Sequence, residues 1–230
     1  MFDFVQVIAA SSRPMRRKSE ESRREDAALT RARLLEAGLK AFARHTYEAA
    51  SVRDIAAQAG VTVAMVSYHF RGKEGLYIAV AELIAERGLE LIGPAQDKAR
   101  EILGGARPDR DTLVAAISQV LRALLEAHSE DGSLDWARIL LREQLNPSPA
   151  TQVLHEKLTR PYMTVLAELL AALDGRAVER RDMIRAFSLL GQAIVFRTTR
   201  HASIALLGQE QRTPEDYDEM MRLIERQLRD

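Results

Sequence analysis

Apolar residues recur with a helical period along nearly the whole chain from Ala27 onward, and no stretch shows the alternation of a strand. Leu34, Leu35, Leu39 and Phe42 share one face of a first helix, which is predicted to end near His45. After a loop at 46–50, Ser51 stands as an N-cap, with Asp54 at the capping-box position in place of the usual Glu or Gln. A short helix through Gln58 would bury Val52, Ile55, Ala56 and Ala59, and Gly60 would end it. Thr62 is placed to cap a second short helix running through about Tyr68. The two are joined by the tight turn Ala59-Gly60-Val61, which makes a helix-turn-helix.

A long helix is predicted from Lys73 to about Leu91, stopped by Gly93-Pro94. An amphipathic helix follows over 111–128, carrying Leu113, Ile117, Val120, Leu121, Leu124 and Leu125. After a turn at Asp131-Gly132, another helix runs over 134–145 and closes at Asn146-Pro147-Ser148-Pro149. Residues 150–173 and 179–207 read as two more helices, the second the longest of all. A last helix starts at Thr213-Pro214, with Thr as N-cap and Pro in the first turn. The expected fold class is therefore all-α. The expected division is a basic tail (1–24), a helix-turn-helix unit (25–76) and a larger helical region (77–230).

Composition narrows the chemistry. At 230 residues with 47% hydrophobic and 29% charged residues, the chain can bury its own core and reads as a soluble globular protein. It has no cysteine, which excludes disulfides, thiolate metal sites and a cysteine nucleophile. No run of 18 apolar residues is present, so no helical membrane span is expected. The first ten residues carry Asp3 and no positive charge, which makes a poor secretory signal, and the expected location is the cytoplasm. Met15 is an alternative start.

The 33 basic and 33 acidic residues cancel overall but not locally. Residues 1–80 hold 13 Lys/Arg against 9 Asp/Glu, so the front is basic and the rear acidic, which points to an anionic partner at the front. Arg13, Arg16, Arg17, Lys18, Arg23 and Arg24 crowd the tail, which is expected to be unstructured until it meets phosphates.

The second short helix carries the sharper signal. Thr62, Val63, Ala64, Ser67 and Tyr68 lie on its expected outer side, small or amphipathic and uncharged, suited to base edges and thymine methyls. Arg53, Arg71 and Lys73 bracket that strip, where phosphates would lie on either side.

The run Thr30-Arg31-x-x-Leu34-Leu35-x-Ala37, then Phe42 and Tyr47, then Ser51-Val52-x-x-Ile55-Ala56-x-x-Ala59-Gly60-Val61, then Ser67-Tyr68-His69-Phe70-x-x-Lys73-Glu74-x-Leu76 resembles the DNA-binding domain of TetR family transcriptional regulators. One departure is Thr46, where the family usually has Gly, and Thr disfavours positive φ.

The resemblance implies that Thr62, Val63, Ala64, Met65 and Ser67 form a recognition helix in the major groove. It implies that Tyr68 and His69 meet the sugar-phosphate backbone and Lys73 a phosphate, with Ser51 and Arg53 at the start of the preceding helix. Core packing competes with a DNA role at Phe70, and a packing or capping role competes at His69.

Further along, Trp136-Ala137-Arg138-x-x-x-Arg142-Glu143, Asn146-Pro147-x-Pro149, Arg160-Pro161 and Leu190-Gly191-Gln192 with Phe196 resemble the CecR-type subgroup. Family resemblance implies a homodimer on a palindromic double-stranded DNA operator, acting as a repressor that a small-molecule inducer releases. The helices at 150–173 and 179–207 are the expected dimer pair, with Phe187, Gly191, Ile194, Thr198 and His201 on one stripe, though the same stripe could serve the protein's own core. Trp136, Phe196 and His201 are the expected neighbours of the inducer.

An enzyme is the rival reading. His45, His69, His128, His155 and His201 are scattered without metal-ligand spacing, and no phosphate loop or nucleophile elbow is present. The sequence therefore implies no metal, no cofactor and no catalytic centre. A helical adaptor that binds protein remains the other alternative.

Overall fold

A computed structural model describes residues 20–126, 133–210 and 213–229, and every regular element among them is helical. The basic arm up to residue 19 and the Asp131-Gly132 turn lie outside the described residues. Among the described residues, no helix is long and apolar enough to cross a membrane.

Helix α1 (Glu20–Arg44) starts ahead of the first apolar repeat, so Glu20 to Arg24 are helical and do not belong to an arm. It is followed by α2 (Val52–Gln58) and α3 (Val63–Phe70). Helix α4 (Lys73–Gly104) is the longest element, 32 residues, and passes straight through Gly93-Pro94. The expected stop fails for a physical reason. A proline inside a helix frees the carbonyl four residues back, here that of Glu90, and both Glu90 and Pro94 face solvent. Meanwhile Ile92, Gln96 and Ala99 are buried on the other side and hold the helix to its neighbours.

Helices α5 (Arg110–Glu126) and α6 (Ser133–Leu145) come next. The stretch expected as one helix over 150–173 is α7 (Pro149–Leu154), a π-helical turn (His155–Thr159) and α8 (Arg160–Leu173). The wider turn precedes Pro161, whose ring would crowd the carbonyl of Lys157 in a regular α-helix.

The stretch expected as the longest helix is broken as well, into α9 (Arg180–Thr198) and α10 (Arg200–Leu207). At the break the Thr199 hydroxyl donates to the Val195 carbonyl at 2.7 Å, a back-bond that bends helices. Helix α11 (Pro214–Arg229) closes the fold by packing on α5.

The core is organised around α4. It packs on α1 and α3 near its start and on α5, α7 and α8 farther along. Helix α8 is almost wholly interior, with Tyr162, Met163, Val165, Leu166, Ala167, Leu169, Leu170 and Ala171 buried. Several apolar residues are left in the open on α9, among them Ile184, Phe187, Ile194 and Val195, and others lie elsewhere, such as Leu91, Leu141 and Leu206.

The start of α9 is fixed by a charge network. Asp182, fully buried, accepts from both Nη atoms of Arg176 at 2.6 Å and from the Glu179 amide at 2.8 Å. The Arg176 guanidinium, outweighing the burial, holds the Asp182 carboxyl well below the usual carboxylate range. A lowered folded-state pKa means that this stabilisation is complete above the unfolded Asp value of about 3.9 and is lost as pH falls below it. Asp182→Asn is expected to lower the thermal midpoint at pH 7 by several degrees, and to weaken the acid sensitivity of unfolding below about pH 4, since it leaves Arg176 without its carboxylate. Thermal melts of both proteins from pH 7 to pH 3 check it. A variant that melts like the parent at pH 7 would show that the network is stabilising nothing.

Candidate nucleic-acid interface

Helices α1, α2 and α3 pack around Leu34, Leu39, Phe42, Ile55, Ala56, Val66 and Phe70, all buried. The cap expected at Ser51 forms: its hydroxyl oxygen accepts from the Asp54 amide at 3.3 Å, while the return bond of a capping box is absent. Gly60 sits at φ +69° in the turn between α2 and α3, a conformation open to glycine. Thr62 occupies the N-cap position of α3, but its side chain makes no capping bond, so the expected cap is corrected here. Its hydroxyl is left exposed.

The outer side of α3 is as the sequence reading placed it. Thr62, Val63, Ala64, Ser67 and Tyr68 are exposed, Val63 at 44% and Tyr68 at 75%. Arg53 and Ser51 are exposed at the start of α2, and Arg71 follows α3 in the open. Met65 is half-buried and packs against the core, and Phe70 is core. His69 is also half-buried, edge-on to Tyr68 at 5.0 Å between centroids, and its Nε2 is buried without a hydrogen-bond partner.

Lys73 is already engaged. Its ammonium donates to the Glu48 carbonyl at 2.9 Å and lies 4.9 Å above the Tyr47 ring. It thereby fixes the loop between α1 and α2 at the edge of the same surface. In that loop Thr46 does not adopt positive φ, and its hydroxyl oxygen accepts from the Ala49 amide at 3.3 Å, so the departure from the family's glycine is absorbed without strain.

The junction from α3 to α4 is tight. Arg71 adopts φ 61°, and a Cβ on Gly75 would stand 1.8 Å from the Phe70 carbonyl oxygen. Only glycine lets the first turn of α4 approach α3 so closely.

Behind this surface lies a contact that the sequence reading did not find. Arg142 of α6 donates to the Phe42 carbonyl at 2.6 Å, to the Ala43 carbonyl at 3.2 Å and to the His45 carbonyl, satisfying the open end of α1. The neighbouring Glu143 is 2% exposed and accepts from the Tyr77 hydroxyl of α4 at 2.6 Å, from the Ser148 hydroxyl at 2.7 Å and amide at 3.2 Å, and from the Thr151 hydroxyl at 2.6 Å. Burial first, and then the bond to Glu143, push the Tyr77 hydroxyl pKa well up, so it stays a donor. Tyr77 also meets Phe42 edge-on at 4.6 Å and Tyr47 at 5.0 Å. Arg142-Glu143 belonged to the subgroup pattern, but their partners on α1 and α4 are far away in sequence.

Farther from α3, a cavity of about 340 Å³ lies among α4, α5, α6, α8 and α9. Trp136 lines it, with Leu140, Leu158, Tyr162, Phe187 and Gly191 among its neighbours. The side chains of Phe196 and His201, the other two residues expected there, lie outside the described residues.

Comparison with known proteins agrees with this geometry at both ends of the chain. Residues 34–80 match bacterial regulatory proteins of the tetR family. Residues 109–229 match the C-terminal domain of the HTH-type transcriptional dual regulator CecR. The chain is 30% identical over 176 residues to the HTH-type transcriptional dual regulator CecR of Shigella flexneri, covering 76% of this chain and 78% of that protein. It is 30% identical over 98 residues to the HTH-type transcriptional repressor AcnR of Corynebacterium diphtheriae, covering 42% and 50%.

Among solved structures, AibR in complex with isovaleryl coenzyme A and operator DNA superposes with a TM-score of 0.56 at 19% identity, over 73% of this chain and 85% of that one. A regulator from Pseudomonas aeruginosa PAO1 does so with a TM-score of 0.56 at 21% identity, over 92% and 96%. These two establish the fold alone. The family matches and the Shigella relative establish more: the chain belongs to the TetR family of DNA-binding transcriptional regulators, not to a family of enzymes, and carries a CecR-type C-terminal domain.

Proposed function

We propose that two copies of this chain bind a palindromic operator in the cytoplasm as a repressor, and that a small molecule entering the cavity releases them. The observation that carries the reading is the outer face of α3: exposed, uncharged, bracketed by Arg53, Arg71 and Lys73, and fixed at its far end by Gly75. In this reading residues 25–76 are the DNA-binding unit and 77–230 the regulatory one. Thr62, Val63, Ala64 and Ser67 enter the major groove, where Val63 and Ala64 set the operator preference, Tyr68, His69 and Lys73 meet the backbone, and Ser51 and Arg53 lie at the start of α2 beside them.

A single α3 reads only a few base pairs, so specificity calls for two-fold repetition. The second copy would cover α9, where Ile184, Phe187 and Ile194 are exposed on one stripe and nothing lies within 4 Å of a Cβ on the half-buried Gly191; Phe187, Gly191 and Ile194 also line the cavity, so the second copy would close its open side.

Coupling would run through α4 and α6. Helix α4 carries Lys73 at the DNA end and Ile92 at the cavity. On α6, Trp136, Ala137, Leu140, Leu141 and Gln144 form one stripe on the cavity wall, while Arg142 and Glu143 hold α1 and α4. A molecule that pushes α6 outward therefore pulls on the end of α1. By reciprocity, DNA must weaken that molecule's binding by the same factor, within about 5–150-fold for couplings of this kind. The Shigella relative is named a dual regulator, so activation from some operators is the second reading.

Selection of bound duplexes from a random pool is expected to return a palindrome, with half-sites about one helical turn or slightly more apart. A product without two-fold symmetry, or a protein that binds operator as a monomer by light scattering, would overturn the dimer reading. With the selected operator, Lys73→Ala is expected to weaken binding about equally on all sequences and to reduce the salt slope by about one unit. Val63→Ala is instead expected to change which operator is preferred. Lys73→Ala with an unchanged salt slope would remove Lys73 from the phosphate contacts. Arg142→Met changes no residue on the α3 face, yet is expected to cost about 3–10-fold in operator affinity by freeing the end of α1, measured by fluorescence anisotropy. Unchanged affinity would place the coupling elsewhere.

A further inference from the structure

In a chain that is 29% charged, no side chain lining the cavity of about 340 Å³ among the described residues carries a charge. Most of the wall is Leu, Ile, Ala, Trp and Phe, and the polar side chains in it are Gln144, Thr159 and Tyr162. Two of these stand three residues apart across the end of the π-helical turn, so they lie on one side of that segment. The turn itself is an irregularity that concentrates at functional sites. It seats Leu158 against Gly88 of α4, where a Cβ would come within 2.7 Å of the leucine. Tyr162 is 3% exposed, and its hydroxyl has no hydrogen-bond partner. A buried hydroxyl without a partner lowers the stability of the empty protein, and a ligand acceptor would relieve it.

We propose that the cavity takes an uncharged, largely apolar molecule of about 10–15 heavy atoms bearing one hydrogen-bonding group, which Tyr162 and Thr159 receive. The size follows from the volume, about twice that of a cavity that holds benzene. The absence of charge follows from desolvation. A carboxylate or ammonium seated at the buried Tyr162 end of this wall would lose its water and gain no counter-ion among the described residues. This inference rests on the cavity's being the effector site of the proposed function.

Trp136 is the only tryptophan in the chain and is part of the cavity wall, so its fluorescence reads occupancy directly. Three probes share one chain and differ in charge: 1-decanol, decanoate and decylammonium, titrated into the full-length protein at pH 7.5. Decanol is expected to shift Trp136 emission with an apparent Kd at least tenfold below that of either ion. Tyr162→Phe is expected to weaken decanol about fivefold while raising the thermal midpoint of the empty protein by about 2–4 °C, because the partnerless hydroxyl is gone. Thr159→Val supplies a second variant with the same expected loss for decanol. An ion that binds as tightly as decanol, or emission that none of the three probes moves, would overturn the proposal. So would full decanol affinity in both variants. Decanol that binds as expected but leaves affinity for the selected operator unchanged would sustain this inference and overturn the inducer reading, so the two fail separately.

Discussion

A carboxylate taken out of water must be given hydrogen bonds, and Glu143 of α6 obtains them from α4 and from the start of α7 at once. Tyr77 of α4 donates to one oxygen, while the Ser148 hydroxyl and amide and the Thr151 hydroxyl donate to the other, at the start of α7. Removing any donor would leave buried charge under-satisfied, a cost larger than the worth of one ordinary hydrogen bond. The three helices therefore meet at one point with little freedom. Arg142, the preceding residue, extends the junction to the end of α1. The exposed face of α3 and the wall of the cavity are both referred to this pair.

The parts of the fold that were legible in the sequence are those whose causes are local. Ser51 caps α2 through an amide three residues on, and Gly60 makes a turn that few other residues can. The exposed strip of α3 follows from spacing and residue type alone, and so does the buried face of α1. What was misread has distant causes. Pro94 reads as a stop because, locally, it is one. Helix α4 continues because Ile92, Gln96 and Ala99 are buried on the opposite side, and burial outweighs a hydrogen bond lost to solvent. Thr62 has the residue type of a cap, but its side chain makes no capping bond. The bonds from Arg142 to α1 span roughly a hundred residues, so no window of sequence could contain them.

Trp136 shows the limit from the other side. A lone tryptophan on an apolar stripe is equally consistent with core and with the wall of an empty space, and Trp136 is both: 6% exposed and on the cavity surface. The difference lies in volume left unfilled by α6, α8 and α9 around it, a property of packing that composition does not encode. A cavity of that size lowers stability relative to a filled core. Charge networks away from it, such as Arg176 with Asp182 at the start of α9, stiffen the frame around the space. Stability is thus concentrated in the frame and withheld around the unfilled space.

The same arrangement explains why α6 is short and sparsely attached. It packs chiefly on α1 and α7, whereas α4, α5, α8 and α9 are packed on one another across the interior. The cavity separates α6 from α8 and α9, and its attachments lead towards the DNA end. In the proposed function a displacement of α6 would pass through Arg142 and Glu143 to α1, α4 and the start of α7. The first turn of α4 lies against α3, where a Cβ on Gly75 would stand 1.8 Å from the Phe70 carbonyl oxygen, so a shift at the start of α4 would be felt at α3. Such a transfer would run through short, direct contacts and would need no long flexible path.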